Sequence, residues 1–145
     1  MKRLVIAAAV AALGVTAVVA QTDPIAARKA IMKENGAQAK IASEMVKGTE
    51  PFDLAKAHKV LTTFADTDAK VKSLFPDSAK TGGDTAALPA IWENKADFDA
   101  KLVKFSAEAR ETDATVKDLD SFKAAMATVG KNCGGCHNNY RKKPS

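Results

Sequence analysis

The stretch DLDSFKAAMATVGKNCGGCHNNYR, residues 118–141, carries the cleanest helical pattern in the chain. Leu119, Phe122, Met126, Val129, Cys133, Cys136, His137 and Tyr140 recur at three- and four-residue intervals, so a helix gathers them into one stripe. The residues from Asp118 to Ser121 supply the start signal.

Three further segments outside this stretch carry helical periods, and none carries a convincing strand alternation. The first predicted helix starts at Asp23-Pro24, a capping residue followed by one suited to the first helical position, and stops at Gly48. Ile25, Met32, Ala39 and Val46 repeat every seven residues on its inward face. The second starts around Thr49-Glu50-Pro51, carries Leu54, Ala57, Leu61, Phe64, Val71 and Phe75 inward, is broken only by Asp68, and ends at Pro76. The third runs from about Pro89 to Thr112 with Ile91, Phe98, Leu102, Phe105 and Ala109 inward. Between these two, residues 76–90 (PDSAKTGGDTAALPA) form the one long loop, expected to be mobile and to cross an end of the fold. Short connections within each helix pair predict an all-α protein, an antiparallel up-down-up-down four-helix bundle.

Residues 1–20 read as a signal peptide. Lys2 and Arg3 precede an apolar run from Leu4 to Val19, and Val18-Val19-Ala20 ends it with small residues. The mature domain is then 21–145, and losing Lys2 and Arg3 lowers the net charge from +5 to +3. So mild an excess argues against nucleic-acid binding, and no run after Ala20 approaches the ~20 apolar residues of a membrane span. Abundant alanine reads as closely packed helices, and a core light in large apolar side chains leaves room for a large apolar cofactor.

Cys133-Gly134-Gly135-Cys136-His137 is C-x-x-C-H, the attachment signature of c-type haem. On a helix both thiols share a face and can bond two vinyl groups along one haem edge, while the adjacent imidazole turns under the iron. A disulfide across so short a loop would stabilise little. A thioredoxin-like dithiol needs its first Cys at a helix N-terminus after a strand, whereas this pair lies late in a helix. Zinc would need two more ligands, and His58 is the one other histidine. His137 thus supplies one axial ligand. Met32, Met45, Met126 and His58 are the candidates for the second. Met126 shares a helix with His137 and cannot reach the opposite haem face, and His58 falls outside the main stripe of its helix. Met32 is central on the first helix, with Gly36 leaving space beside it. A methionine there ordinarily fills the core, but a haem inside the bundle shifts the balance toward ligation.

This pattern resembles the class II c-type cytochromes, the cytochrome c′ family, whose C-x-x-C-H lies near the C-terminus of a four-helix bundle. The matching parts are Arg28-Lys29-Ala30-Ile31-Met32, Ser73-Leu74-Phe75-Pro76, Ala90-Ile91-Trp92, and Cys133 to Arg141. The resemblance implies one covalently attached haem c per chain in the bundle core. It also implies a branch. High-spin members leave the distal face open or blocked by an apolar side chain and bind NO or CO, whereas the low-spin branch places Met there, as Met32 stands here, and transfers electrons. By matching position Arg28 resembles a basic residue near a haem propionate, and Arg141 one beside the proximal imidazole, although Arg141-Lys142-Lys143 also complements a helix dipole. Trp92 is expected against the haem edge or the loop beneath it. The expected function is that of a periplasmic electron carrier with redox-protein partners and no substrate chemistry of its own, as a monomer or a homodimer without stable membrane association.

Overall fold

Asp23 opens α1 (Pro24–Lys47) by accepting the Ile25 N–H at 2.9 Å, with Pro24 in the first turn. Gly48 ends it: at φ 75° its backbone turns left-handed and its N–H meets the Glu44 and Met45 carbonyls. These contacts belong to a computed structural model that describes residues 23–143, so the expected signal peptide over 1–20 lies outside the described residues. The chain continues through α2 (Leu54–Ala65), α3 (Thr67–Val71), two short 3-10 turns, α4 (Ala90–Glu93), α5 (Lys95–Asp113) and α6 (Leu119–Tyr140). A capping box starts α6: Ser121 N–H donates to Asp118 at 2.8 Å, and Asp118 N–H donates to the Ser121 hydroxyl at 3.0 Å.

α1, α2, α5 and α6 pack in a ring, each against the next. Cross-helix pairs fix their directions. His58 near the start of α2 meets Asp113 at the end of α5, and Tyr140 at the end of α6 meets Asp97 near the start of α5. Arg28 near the start of α1 reaches Leu74 and Ala79, beyond α3. Neighbours are therefore antiparallel, and the all-α four-helix bundle stands as expected from the sequence.

Two expected helices are interrupted. The second breaks at Asp66, where Arg110 takes the Ala65 carbonyl at 2.8 Å, so the predicted run to Pro76 becomes α2, α3 and a 3-10 turn over Lys72–Leu74. The third breaks at Asn94, whose φ of −126° and ψ of 48° separate α4 from α5. Leu54, expected inward, is exposed. The 76–90 loop is tied down as well. Leu88 N–H donates to the Tyr140 carbonyl at 3.0 Å and Lys142 N–H to Ala86 at 2.8 Å, a single antiparallel bridge around Ala87 and Arg141.

The core divides in two. One cluster packs Met45, Val60, Leu61, Phe64, Phe122 and Val129 into a closed end of the bundle. The other, Val71, Ile91, Phe98, Leu102 and Tyr140, lines a cavity of about 620 Å³ at the other end. That volume falls in the range of cofactor sites, roughly 300–1,000 Å³.

Candidate haem site

The last turns of α6 bring Cys133, Cys136 and His137 to the cavity wall together, as three- and four-residue spacing on one helix requires. α1 contributes Met32, Gly36 and Ala39 to the same cavity, and Phe64, Val71, Phe75, Ile91, Phe98 and Leu102 add apolar wall. Both thiols are free. Burial pushes each thiol above its ordinary value, so neither is a ready thiolate. Burial lowers the His137 imidazole, and Arg141 lowers it further. The neutral ring that results is the form that ligates a metal. Two free thiols, a neutral imidazole beside them and an apolar cavity of this size form a donor set that fits haem c.

Of the four candidates for a second axial ligand, Met32 lines this cavity. The other three sit elsewhere. Met45 is fully buried in the closed cluster, Met126 packs against that cluster, and His58 Nδ1 lies 2.7 Å from Asp113. Met32 is 37% exposed, whereas the buried face of α1 is Ile25, Arg28, Gln38, Ala42 and Met45. The heptad Ile25-Met32-Ala39-Val46 therefore does not mark a uniformly buried face. Its middle members line the cavity.

Arg28 also lines the cavity, yet it is buried and already engaged. Its guanidinium donates to the Leu74 carbonyl at 3.2 Å, the Ala79 carbonyl at 3.0 Å and the Thr85 hydroxyl at 2.6 Å, and it lies 4.7 Å from the Phe75 ring centroid. Burial lowers its pKa, with Asp23 acting in the opposite direction. Three of its five donors thus bind protein oxygens. Trp92 is one layer back from the cavity, donating its indole N–H to the Phe75 carbonyl at 3.1 Å and the Pro76 carbonyl at 3.3 Å. It holds the start of the loop. Arg141 lines the cavity one turn beyond His137.

Thr85 and Tyr140 carry roles that periodicity did not reveal. Thr85 Oγ1 accepts from Arg28 and from the Ala87 N–H at 3.1 Å, which links α1 to the loop strapped onto the end of α6. The Tyr140 ring packs edge-on to Phe98, and its hydroxyl donates to Asp97. Tyr140 belongs to the α6 stripe, so its burial was legible. Its acidic partner was not.

A family model described as Cytochrome C′ matches residues 23–141. The chain belongs to the cytochrome c′ family. It is 46% identical over 143 residues to a cytochrome c′ of Rhodopseudomonas palustris, covering 99% of this chain and 98% of that protein. It is 35% identical over 147 residues to a cytochrome c-556 of the same organism, covering 99% of each. A solved cytochrome c′ from Rhodopseudomonas palustris has a TM-score of 0.83 and 48% identity, over 86% of this chain and 100% of that one. Members of the family carry one covalently bound haem c, matching the single C-x-x-C-H here. They are electron carriers or gas-binding proteins rather than classical enzymes. Among the described residues no helix is long and apolar enough to cross a membrane.

Proposed function

We propose that this protein is a periplasmic one-electron carrier whose haem iron is held low-spin between His137 and Met32. The observation that carries the reading is that Met32, alone among the methionine and histidine candidates, lines the same cavity as Cys133, Cys136 and His137. When bound, haem supplies reversible one-electron chemistry at its iron. The chain's part is to hold and tune it. Cys133 and Cys136 would form the two covalent attachments, the neutral His137 imidazole would supply a nitrogen ligand, and the Met32 thioether would supply a soft sulfur that favours the ferrous state and raises the potential. Apolar walls exclude water and further disfavour the more highly charged state. Arg28 and Arg141 place positive charge at the cavity, where haem propionates would be offset.

The test is the optical spectrum in both oxidation states, with and without CO. The wild type should be low-spin and take up CO poorly, because the gas must displace a ligand held at high effective concentration by α1. Met32→Ala should turn high-spin, bind CO readily and show a lower potential. A second reading, a gas-binding high-spin cytochrome with an open distal face, is favoured by the 46% identity to a protein named cytochrome c′. A wild type that is already high-spin and takes up CO as the variant does would replace the first reading with the second.

A further inference from the structure

The charge of this chain is unevenly placed. Of its 22 Lys and Arg, two precede Gln21 and five follow Asp120, which leaves 15 between them against all 17 Asp and Glu. The segment after Asp120 contains Lys123, Lys131, Arg141, Lys142 and Lys143 and no Asp or Glu. This segment, made of most of α6 and the residues that follow Tyr140, is thus basic on an otherwise slightly acidic body. A helix C-terminus takes up only about half a unit of positive charge, and three cations follow within three residues of Tyr140.

The outward side of this helix is bare. On α6 Lys131, Gly134, Gly135, Asn138 and Asn139 are exposed, and Lys142 and Lys143 are exposed just beyond its end; Cys133, Cys136 and His137 line the cavity. A Cβ built at Gly134 or Gly135 meets nothing within 4 Å, so another surface can approach the backbone between the two cysteines. Lys131 acts on one carboxylate, that of Glu108, which Lys104 and Asn132 already engage. Among the described residues Lys142 and Lys143 have no ion-pair partner.

We propose that this face, from Lys131 across Gly134 and Gly135 to Lys142 and Lys143, is the docking surface for the acidic face of a redox protein. The inference rests on the electron-carrier reading. In the docked pair one electron moves between the two proteins, one being oxidised as the other is reduced, and no atom or proton is exchanged. The lysines steer the encounter and set its salt dependence, while the glycines shorten the path to the attachment site. Gly and Asn in place of large apolar side chains give a lipid surface nothing to embed, so a protein partner fits this face better than a membrane.

The test uses the holoprotein on a gold electrode coated with a carboxylate-terminated monolayer, which stands in for an acidic protein face. Neutralising Lys131→Gln with Lys142→Gln should slow electron exchange about tenfold and flatten its salt dependence. Lys56→Gln with Lys59→Gln, the same charge change on exposed α2 residues at the closed end, should leave the rate unchanged. Gly135→Gln should slow exchange with the fold intact, because its side chain enters open space. Equal losses in the two double variants, or a loss in neither, would overturn the proposal. So would pelleting of the wild type, but not of the Lys131/Lys142 variant, with phosphatidylglycerol vesicles, which would make the face a lipid-binding surface. CO uptake by the wild type overturns the carrier reading through Met32 and is scored separately from this dependence on position.

Discussion

Tyr140 is the chain's one tyrosine, so its titration can be followed without ambiguity. Its hydrogen bond to Asp97, followed by burial, pushes the phenol up to about 12. The raised value means that the folded state keeps a proton that the unfolded chain releases near pH 10. The contribution is therefore complete below pH 10 and is lost as pH rises from 10 toward 12. Ultraviolet absorbance should place phenolate formation near 12, and Asp97→Asn should bring it down; a midpoint near 10 in the wild type would remove the Tyr140–Asp97 bond from the account. The same residue shows how far sequence reading reaches. Three- and four-residue spacing put Tyr140 on the inward stripe of α6, and burial followed. Its carboxylate partner comes from α5, 43 positions away, and no periodicity reports such a pair. Arg28 and Gln38 make the same point from the other side. Both are polar and both lie on the buried face of α1, Arg28 because the loop brings carbonyls and a hydroxyl to it and Gln38 beside its bond to Glu34. A count of apolar residues passes over them and shifts the apparent face toward Met32.

Helices were legible wherever a cap and a stripe coincided, as in α1 between Asp23 and Gly48 and in α6 from its Asp118–Ser121 box. The break at Asp66 was not, because Arg110 captures the Ala65 carbonyl from a different helix. Two predictions belong to this scale. Gly134 sits inside α6 with open space around its missing Cβ, so Gly134→Ala should stabilise the protein by about 0.5–1 kcal/mol in denaturant melts, without changing the spectrum. A loss of stability would mean that Gly134 is constrained by a contact not seen here. Thr85→Val removes the oxygen that serves both Arg28 and the Ala87 N–H, in a loop whose composition alone suggests mobility. It should cost about 1–3 kcal/mol and speed amide exchange at Leu88 and Lys142, the donors that strap the loop to α6. Thr85→Ser keeps the oxygen and should restore both. Unchanged exchange in the valine variant would show that the strap holds without Arg28.

The molecule as a whole is a bundle packed at one end and hollow at the other. Phe122, Met45 and Leu61 are essentially inaccessible in the closed cluster, while Cys133, Met32 and Ala39 face a cavity wide enough for a cofactor. A light core with many alanines already implied spare volume, but only the fold shows that this volume is gathered beside the attachment cysteines. Stability should divide in the same way. Three features make the hollow end depend on what fills it: the cavity itself, paired glycines in the last helix, and a loop held by a few hydrogen bonds. Replacing Cys133 and Cys136 together by Ser removes both attachment points and leaves the closed cluster untouched. Global stability of that variant should fall by at least the ~2–5 kcal/mol of a single large-to-small core change. Hydrogen exchange should locate the loss. Amides of 57–64 and 122–129 would stay protected, while those of 131–141 and 85–88 would open at much lower free energy, as expected when one cooperative unit loses its core. Native-like melting of the double variant would contradict the dependence of the hollow end on what fills the cavity, and uniform loss of protection along all four helices would contradict the division, since it requires the two ends to stand or fall together.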